Sequence, residues 1–212
     1  MRSLITITLS CFILAGCISP KSFLDPSVPK VSYDEVKKPS EPMRLKLFVE
    51  FQRNGQHFPK ADSTLRDNAE WILRATGVIV PVEENATGEI MIIVNNFGDT
   101  GSAAAKGIGT GLTLGLVGST VMDGYEMTMT ISTKEKSVTK NAIRHSLYTT
   151  IGNASLPEGV EEVPPNVGFE RILEQMILRG LIEFQNEGII SKRELIHLFH
   201  QWIADLGKRQ IT

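Results

Sequence analysis

The sequence predicts an α/β sandwich, a mixed sheet of at least four strands in the order β-α-β-β-β-α-α with helices packed on one face. Three observations carry this expectation. Apolar and polar residues alternate with the period of a half-buried strand over 44–51 and over 125–132. Residues 90–94 are apolar on both sides, as a central strand is. Apolar residues recur at helical spacing over 65–73 and again over 169–184.

In the first strand Leu45, Leu47, Val49 and Phe51 face one way and Arg44, Lys46 and Glu50 the other, and Asn54 and Gly55 end it. A helix follows from Asp62 or Ser63 to Thr76, with Leu65, Ala69, Ile72 and Leu73 inward and Gly77 as its stop. The stretch GEIMIIVNNF, 88–97, is the central strand. Next comes a hairpin: Tyr125, Met127, Met129 and Ile131 point inward, TKEK turns the chain, and the return runs through Ile143, His145, Leu147 and Ile151. Met122, Met127 and Met129 are expected to fill core. A polar, proline-bearing link leads to a helix that Asn166 caps, with Phe169, Ile172, Leu173, Met176, Ile177, Leu181 and Phe184 on its apolar face and a stop near Gly188. The last helix, 191–212, opens with a capping box from Ser191 to Glu194 and packs through Leu195, Leu198, Phe199, Trp202 and Leu206.

Arg2 precedes an apolar run of about eleven residues, the layout of an export signal and too short for a spanning helix, which needs about 20. Residues 1–16 are therefore read as a signal peptide. The formal charge of −2 becomes about −3 on losing Arg2, which gives no basic field for nucleic acid. Cleavage also removes Cys11. Residues 17–42 carry Pro20, Pro26, Pro29, Pro39 and Pro42 and no sustained apolar period, so they read as a semi-stiff tether to a domain over 43–190.

Residues 106–122, KGIGTGLTLGLVGSTVM, hold five glycines and no charge after Lys106. A phosphate loop is excluded by context. Position 112 is leucine where a dinucleotide fingerprint needs glycine, about ten residues separate the strand from Gly107, and a strand follows in place of a helix, so no nucleotide is expected. As a helix, 107–121 would rise only about 22 Å, short of a hydrocarbon core near 30 Å. Two readings stand: an apolar loop packed on its own domain, or a surface that meets a second subunit, a partner or lipid. Gly107, Ile108, Gly111, Leu112, Leu114, Gly115, Leu116 and Val117 are the candidate contact residues.

A search for chemistry yields little. His197 and His200 lie three apart without a third ligand, so no metal or other cofactor is expected. No GxSxG elbow occurs. Glu50, Asp99 and Asp123 lie near strand ends, where α/β sites gather, and His145 alternates with apolar neighbours as a half-buried imidazole does. Nothing names an enzyme; a small envelope hydrolase around His145 is the outlying alternative.

The ending LAGC, 14–17, resembles the lipobox of bacterial outer-membrane lipoproteins. The resemblance implies cleavage between Gly16 and Cys17, acylation of Cys17 and, with Ile18 and Ser19 in place of an aspartate, residence in the outer membrane with the domain facing the periplasm. The element order over 43–190 is similar to the periplasmic α/β domains of lipoprotein activators of penicillin-binding proteins and of curli-export lipoproteins. LTLGLVGS with DGYEMTM is similar to stretches in proteobacterial lipoproteins of unassigned activity. The expected partners are membrane lipid through Cys17 and an envelope protein or a second copy. The expected function is a non-enzymatic interaction or assembly module, with a subunit of an oligomeric export or outer-membrane complex as the alternative.

Overall fold

The computed structural model describes residues 20–98, 119–152 and 156–190. Its strands are β1 (Lys21–Leu24), β2 (Met43–Arg53), β3 (Gln56–His57), β4 (Ile79–Pro81), β5 (Gly88–Gly98), β6 (Ser119–Thr133) and β7 (Ser137–Ile151). Its helices are α1 (Asp62–Thr76) and α2 (Pro165–Asn186). The strands make one seven-stranded sheet in the order β1-β7-β6-β5-β2-β3, with β4 also on β2. β2 runs parallel to β4 and β5, and the remaining pairs are antiparallel. The predicted α/β class and mixed sheet are present, with two helices against the sheet.

One face of the sheet is the core. Leu45 and Leu47 of β2, Ile90, Ile92 and Val94 of β5, Met127, Met129 and Ile131 of β6, and Ile143 and Leu147 of β7 are buried there. They pack with Leu65, Ala69, Ile72 and Leu73 of α1 and with Ile172, Leu173, Met176, Ile177, Leu181 and Phe184 of α2. Strict alternation puts every second strand residue on this face and leaves the others on an open one.

Local chemistry fixes the ends. Gly77, at φ 68°, closes α1 in the left-handed region and donates its N–H to the Arg74 carbonyl. Pro165 is the first helical residue of α2 and Pro164 its cap, so Asn166, expected to cap, sits inside the first turn. A proline at that position loses no bond, because its missing N–H would have had no helical partner. The outer edge of β2, between β4 and β3, is covered by side chains. Asp62 accepts the Phe51 N–H at 2.8 Å and Arg66 donates to the Leu47 carbonyl at 2.9 Å. In the long β6–β7 ladder, Met127 faces Ile143 but Met129 faces Lys140, so Asn141 and Ala142 together oppose Thr128 in a bulge, with Ala142 at φ 57°.

Two expectations are corrected. The described part of the 17–42 tether is bound along the domain. β1 pairs with β7, Phe23 and Val36 are buried, and the rest lies as a strap on α2. The amide of Gln175 accepts the Val31 N–H at 2.7 Å and donates to the Val31 carbonyl at 2.9 Å; Gln185 makes the same pair of bonds to Lys37. The prolines that suggested a spacer serve equally in a chain held by side-chain amides, which need no N–H at those residues. Met122 is the second correction. It is 48% exposed, because its even position on β6 turns it to the open face while Met127 and Met129 turn inward. The expected C-terminal helix over 191–212 lies outside the described residues.

Candidate functional site

Two places stand out: one end of the sheet and one cavity. β5 ends at Gly98, paired with Asp123 of β6, and β6 continues outward to Ser119 against Ile151 of β7. The chain between them therefore leaves and rejoins the sheet at this end. That connection contains the candidate contact residues Gly107, Ile108, Gly111, Leu112, Leu114, Gly115, Leu116 and Val117, which lie outside the described residues, as do Gly16 and Cys17.

The roots of the connection are described, and they are apolar on the open face. Phe97 is 40% exposed and Met122 48%. The Phe97 ring lies directly on Gly124, its cross-strand partner, in the space a Cβ would take. Met122 faces Tyr148, and Tyr148 in turn stacks on Phe23 of β1 with ring centroids 5.2 Å apart. Met91, 37% exposed, sits farther along β5 opposite Phe48.

Register places four polar side chains in one row across the helix-covered face near this end. Arg53 pairs with Asn96, Asn96 with Tyr125, and Tyr125 with His145. Asn96 donates to the Gly124 carbonyl at 3.3 Å. Tyr125 packs against Phe169, which meets Phe51 edge-on at 5.9 Å. Burial raises the Tyr125 pKa, the nearby Asp123 carboxylate adds to the rise, and Arg53 opposes it.

His145 ends the row and opens a cavity of about 510 Å³ between α2 and the chain after β1. Leu24, Val28, Pro29 and Val160 supply its apolar lining, and Asp25, Lys30, Glu161, Arg171 and Glu174 its charges. Nδ1 of His145 lies 2.9 Å from the Ser146 nitrogen and 3.2 Å from the Ser146 carbonyl oxygen, so the Ser146 backbone meets the ring in either tautomer. Burial holds the His145 pKa below its ordinary value. Arg171 and Glu161 pair at 2.6 Å, and Arg171 keeps the Glu161 carboxyl below the usual range. The Tyr33 hydroxyl donates to Glu174 at 3.0 Å. The size suits a small molecule. The sequence had offered only His145 of this group; the acids and Arg171 come from elements more than ten residues away and form no local motif.

Of the other candidate acids, Glu50 accepts a hydrogen bond from Gln52 on the open face and Asp123 lies beside Gly98, so neither joins the cavity. Asp99, His197 and His200 lie outside the described residues. The His57 ring meets Asp62 at 2.7 Å, the same Asp62 that holds the β2 edge, which accounts for this pair structurally. Among the described residues no helix is long and apolar enough to cross a membrane, and no group of three metal-ligating side chains occurs.

The fold and this end define a class: a mixed-sheet α/β domain with helices on one face and a long apolar insertion between two adjacent strands. Among solved structures the chain is similar to a PelC dodecamer from Paraburkholderia phytofirmans carrying one leucine-to-methionine substitution. Identity is 13%, covering 68% of this chain and 92% of that one, with a TM-score of 0.28. At that score the likeness carries no argument. No protein-family model and no curated protein matches the chain.

Proposed function

We propose that this chain works in the cell envelope without catalysis, as a lipid-anchored interaction or assembly module whose contact surface includes the apolar segment 106–122. The supporting observation is where that segment is rooted. It joins the paired ends of β5 and β6 beside exposed Phe97 and Met122, while the described residues close a core between the sheet and both helices. An uncharged run of this length is costly to leave in water unless something covers it. Small residues in it permit close backbone approach by the covering surface. Acylation at Cys17 would concentrate the domain at the membrane and so favour weak contacts there.

Light scattering after gel filtration tests this on the acylated protein and on a soluble form starting near Ser19, each with and without residues 107–119. The expected result is a multimer, or a complex with an envelope protein, that is lost on deletion while the fold persists. A closed ring in mild detergent would specify a subunit of an oligomeric export or outer-membrane assembly. Unfolding on deletion would make the segment part of the core and overturn the proposal.

A further inference from the structure

We infer that the domain stands with one particular end of its sheet against the bilayer, and that Phe97 and Met122 are its apolar contacts with lipid. The inference rests on the lipid-anchor reading of Cys17 and adds the orientation that follows from it.

The argument is one of reach. β1 is hydrogen-bonded into the sheet from Lys21 onward, so only four residue steps lead from Cys17 to a fixed point of the domain. Fully extended they span about 14 Å. Lys21 pairs with Thr150 of β7, and Thr150 with Thr120 of β6. Gly98, the last residue of β5, pairs with Asp123, three residues farther along β6 and thus about 10 Å away. The start of β1, the end of β5, the start of β6 and the end of β7 therefore share one end. The turn that joins β6 to β7 is at the other, and β6, at 15 residues, places it about 45–50 Å away. A link of about 14 Å holds the near end at the membrane while Cys17 is anchored, and a domain standing on that end carries its far end about 45–50 Å from the bilayer.

The near end carries the side chains such a contact needs. Phe97 and Met122 are among the exposed large apolar residues, and both project from the open face near this end, Met122 two residues and Phe97 four residues of β6 register beyond Lys21, about 7 and 13 Å. Phe97 lies against Gly124, and Met122 sits opposite Tyr148 in the ladder. Isolated exposed apolar residues are ordinary on soluble proteins. What assigns these two to lipid is their place within the anchor's reach. Met91 is equally apolar and similarly exposed but lies six residues farther along β5, about 20 Å from Phe97.

The test uses the acylated full chain in vesicles of phosphatidylethanolamine and phosphatidylglycerol with brominated acyl chains. A fluorescent thiol label is placed singly through Phe97→Cys, Met122→Cys, Met91→Cys or Glu135→Cys, all at exposed positions, with unchanged thermal midpoints confirming the fold. Labels at 97 and 122 should lose most of their fluorescence and those at 91 and 135 none. A long glycine-serine linker inserted between Ser19 and Pro20 should abolish the difference while leaving the protein on the vesicles. Equal quenching at all four sites, or none at 97 and 122, would overturn the orientation. The intact mass of the extracted protein separates this from failure of the anchor itself: without acyl mass on Cys17 both readings fall, whereas acylation with uniform quenching overturns the orientation alone.

Discussion

The two ends of the β6–β7 ladder are built from the same two strands and share the same open face, yet they present opposite chemistry. Far from β1, Thr130 and Thr139 bond through their hydroxyls at 2.8 Å, as do Ser132 and Ser137, and the turn itself is charged with Lys134, Glu135 and Lys136. Near β1 the open-face pairs are Thr120 with Thr150, Met122 with Tyr148, and Gly124, under the Phe97 ring, with Ser146, so apolar and aromatic side chains enter a row that is all hydroxyl at the far end. Hydroxyl pairs satisfy each other and remain wettable, which makes the far end a finished surface. At the near end Phe23 is buried against Tyr148, while Phe97 and Met122 stay 40% and 48% exposed.

The largest effect that sharpens the contrast is steric. A Cβ at Gly88 would run into the Ser132 backbone carbonyl at the far end, whereas one at Gly124 would meet only the Phe97 side chain at the near end. Backbone cannot yield as a ring can. Gly88→Ala should cost about 2–3 kcal/mol and Gly124→Ala about 1 kcal/mol by urea unfolding, the latter also lifting Phe97 further into solvent. Equal costs would mean that the near end is as tightly packed as the far one.

Between these falls Gln175→Ala, which removes both bonds to Val31 and should cost about 1–2 kcal/mol, with faster hydrogen exchange along the strap at 25–37. A smaller effect is pH-dependent. Burial depresses the His145 pKa; the Ser146 backbone raises it, Arg179 lowers it further and Asp25 raises it. The unfolded chain therefore takes up this proton first. Stability from this group is complete above about pH 6.5 and is lost as pH falls through the depressed folded value. His145→Gln should flatten that acid-side slope in thermal melts while leaving the slope above neutrality unchanged. Smallest in stability is Phe97→Ser combined with Met122→Ser, expected within about 0.5 kcal/mol of the parent in urea. A large loss would show that these side chains belong to the core.

Much of this fold is legible in the sequence for a physical reason. β2, β6, α1 and α2 each bury one face, and burial on one face leaves a period that can be read residue by residue; β5 reads as apolar on both sides, yet its second face is open and Met91 there is 37% exposed. The strap, β1, β3 and β4 leave none. β1 has four residues and β4 three, one of them Pro81, and their pairing is decided by neighbours distant in sequence. The strap is fixed by Gln175, which is 144 residues from Val31, so a proline-rich stretch that reads as a spacer is in fact bound. Met122 lies on the open face where its neighbours Met127 and Met129 suggest core, because the glycine-rich run hides where β6 begins and hence its parity. At the candidate site, His145 is visible through its alternation, but Arg171, Glu161 and Glu174 reach its cavity from a loop and a helix with no shared motif. The apolar connection is conspicuous by composition alone, and its roots at Gly98 and Ser119 required the register.

The most direct test of the claim that the near end is the contact end compares it with the far end in place. A photo-crosslinking amino acid is introduced at Met122 or at Glu135 in the acylated protein within its own envelope, and adducts are resolved by mass with and without residues 107–119. The account predicts discrete adducts from position 122, to lipid, a second copy or an envelope protein, with the protein adducts lost on deletion, and none from 135. Adducts of equal yield from both positions, or from 135 alone, would contradict it.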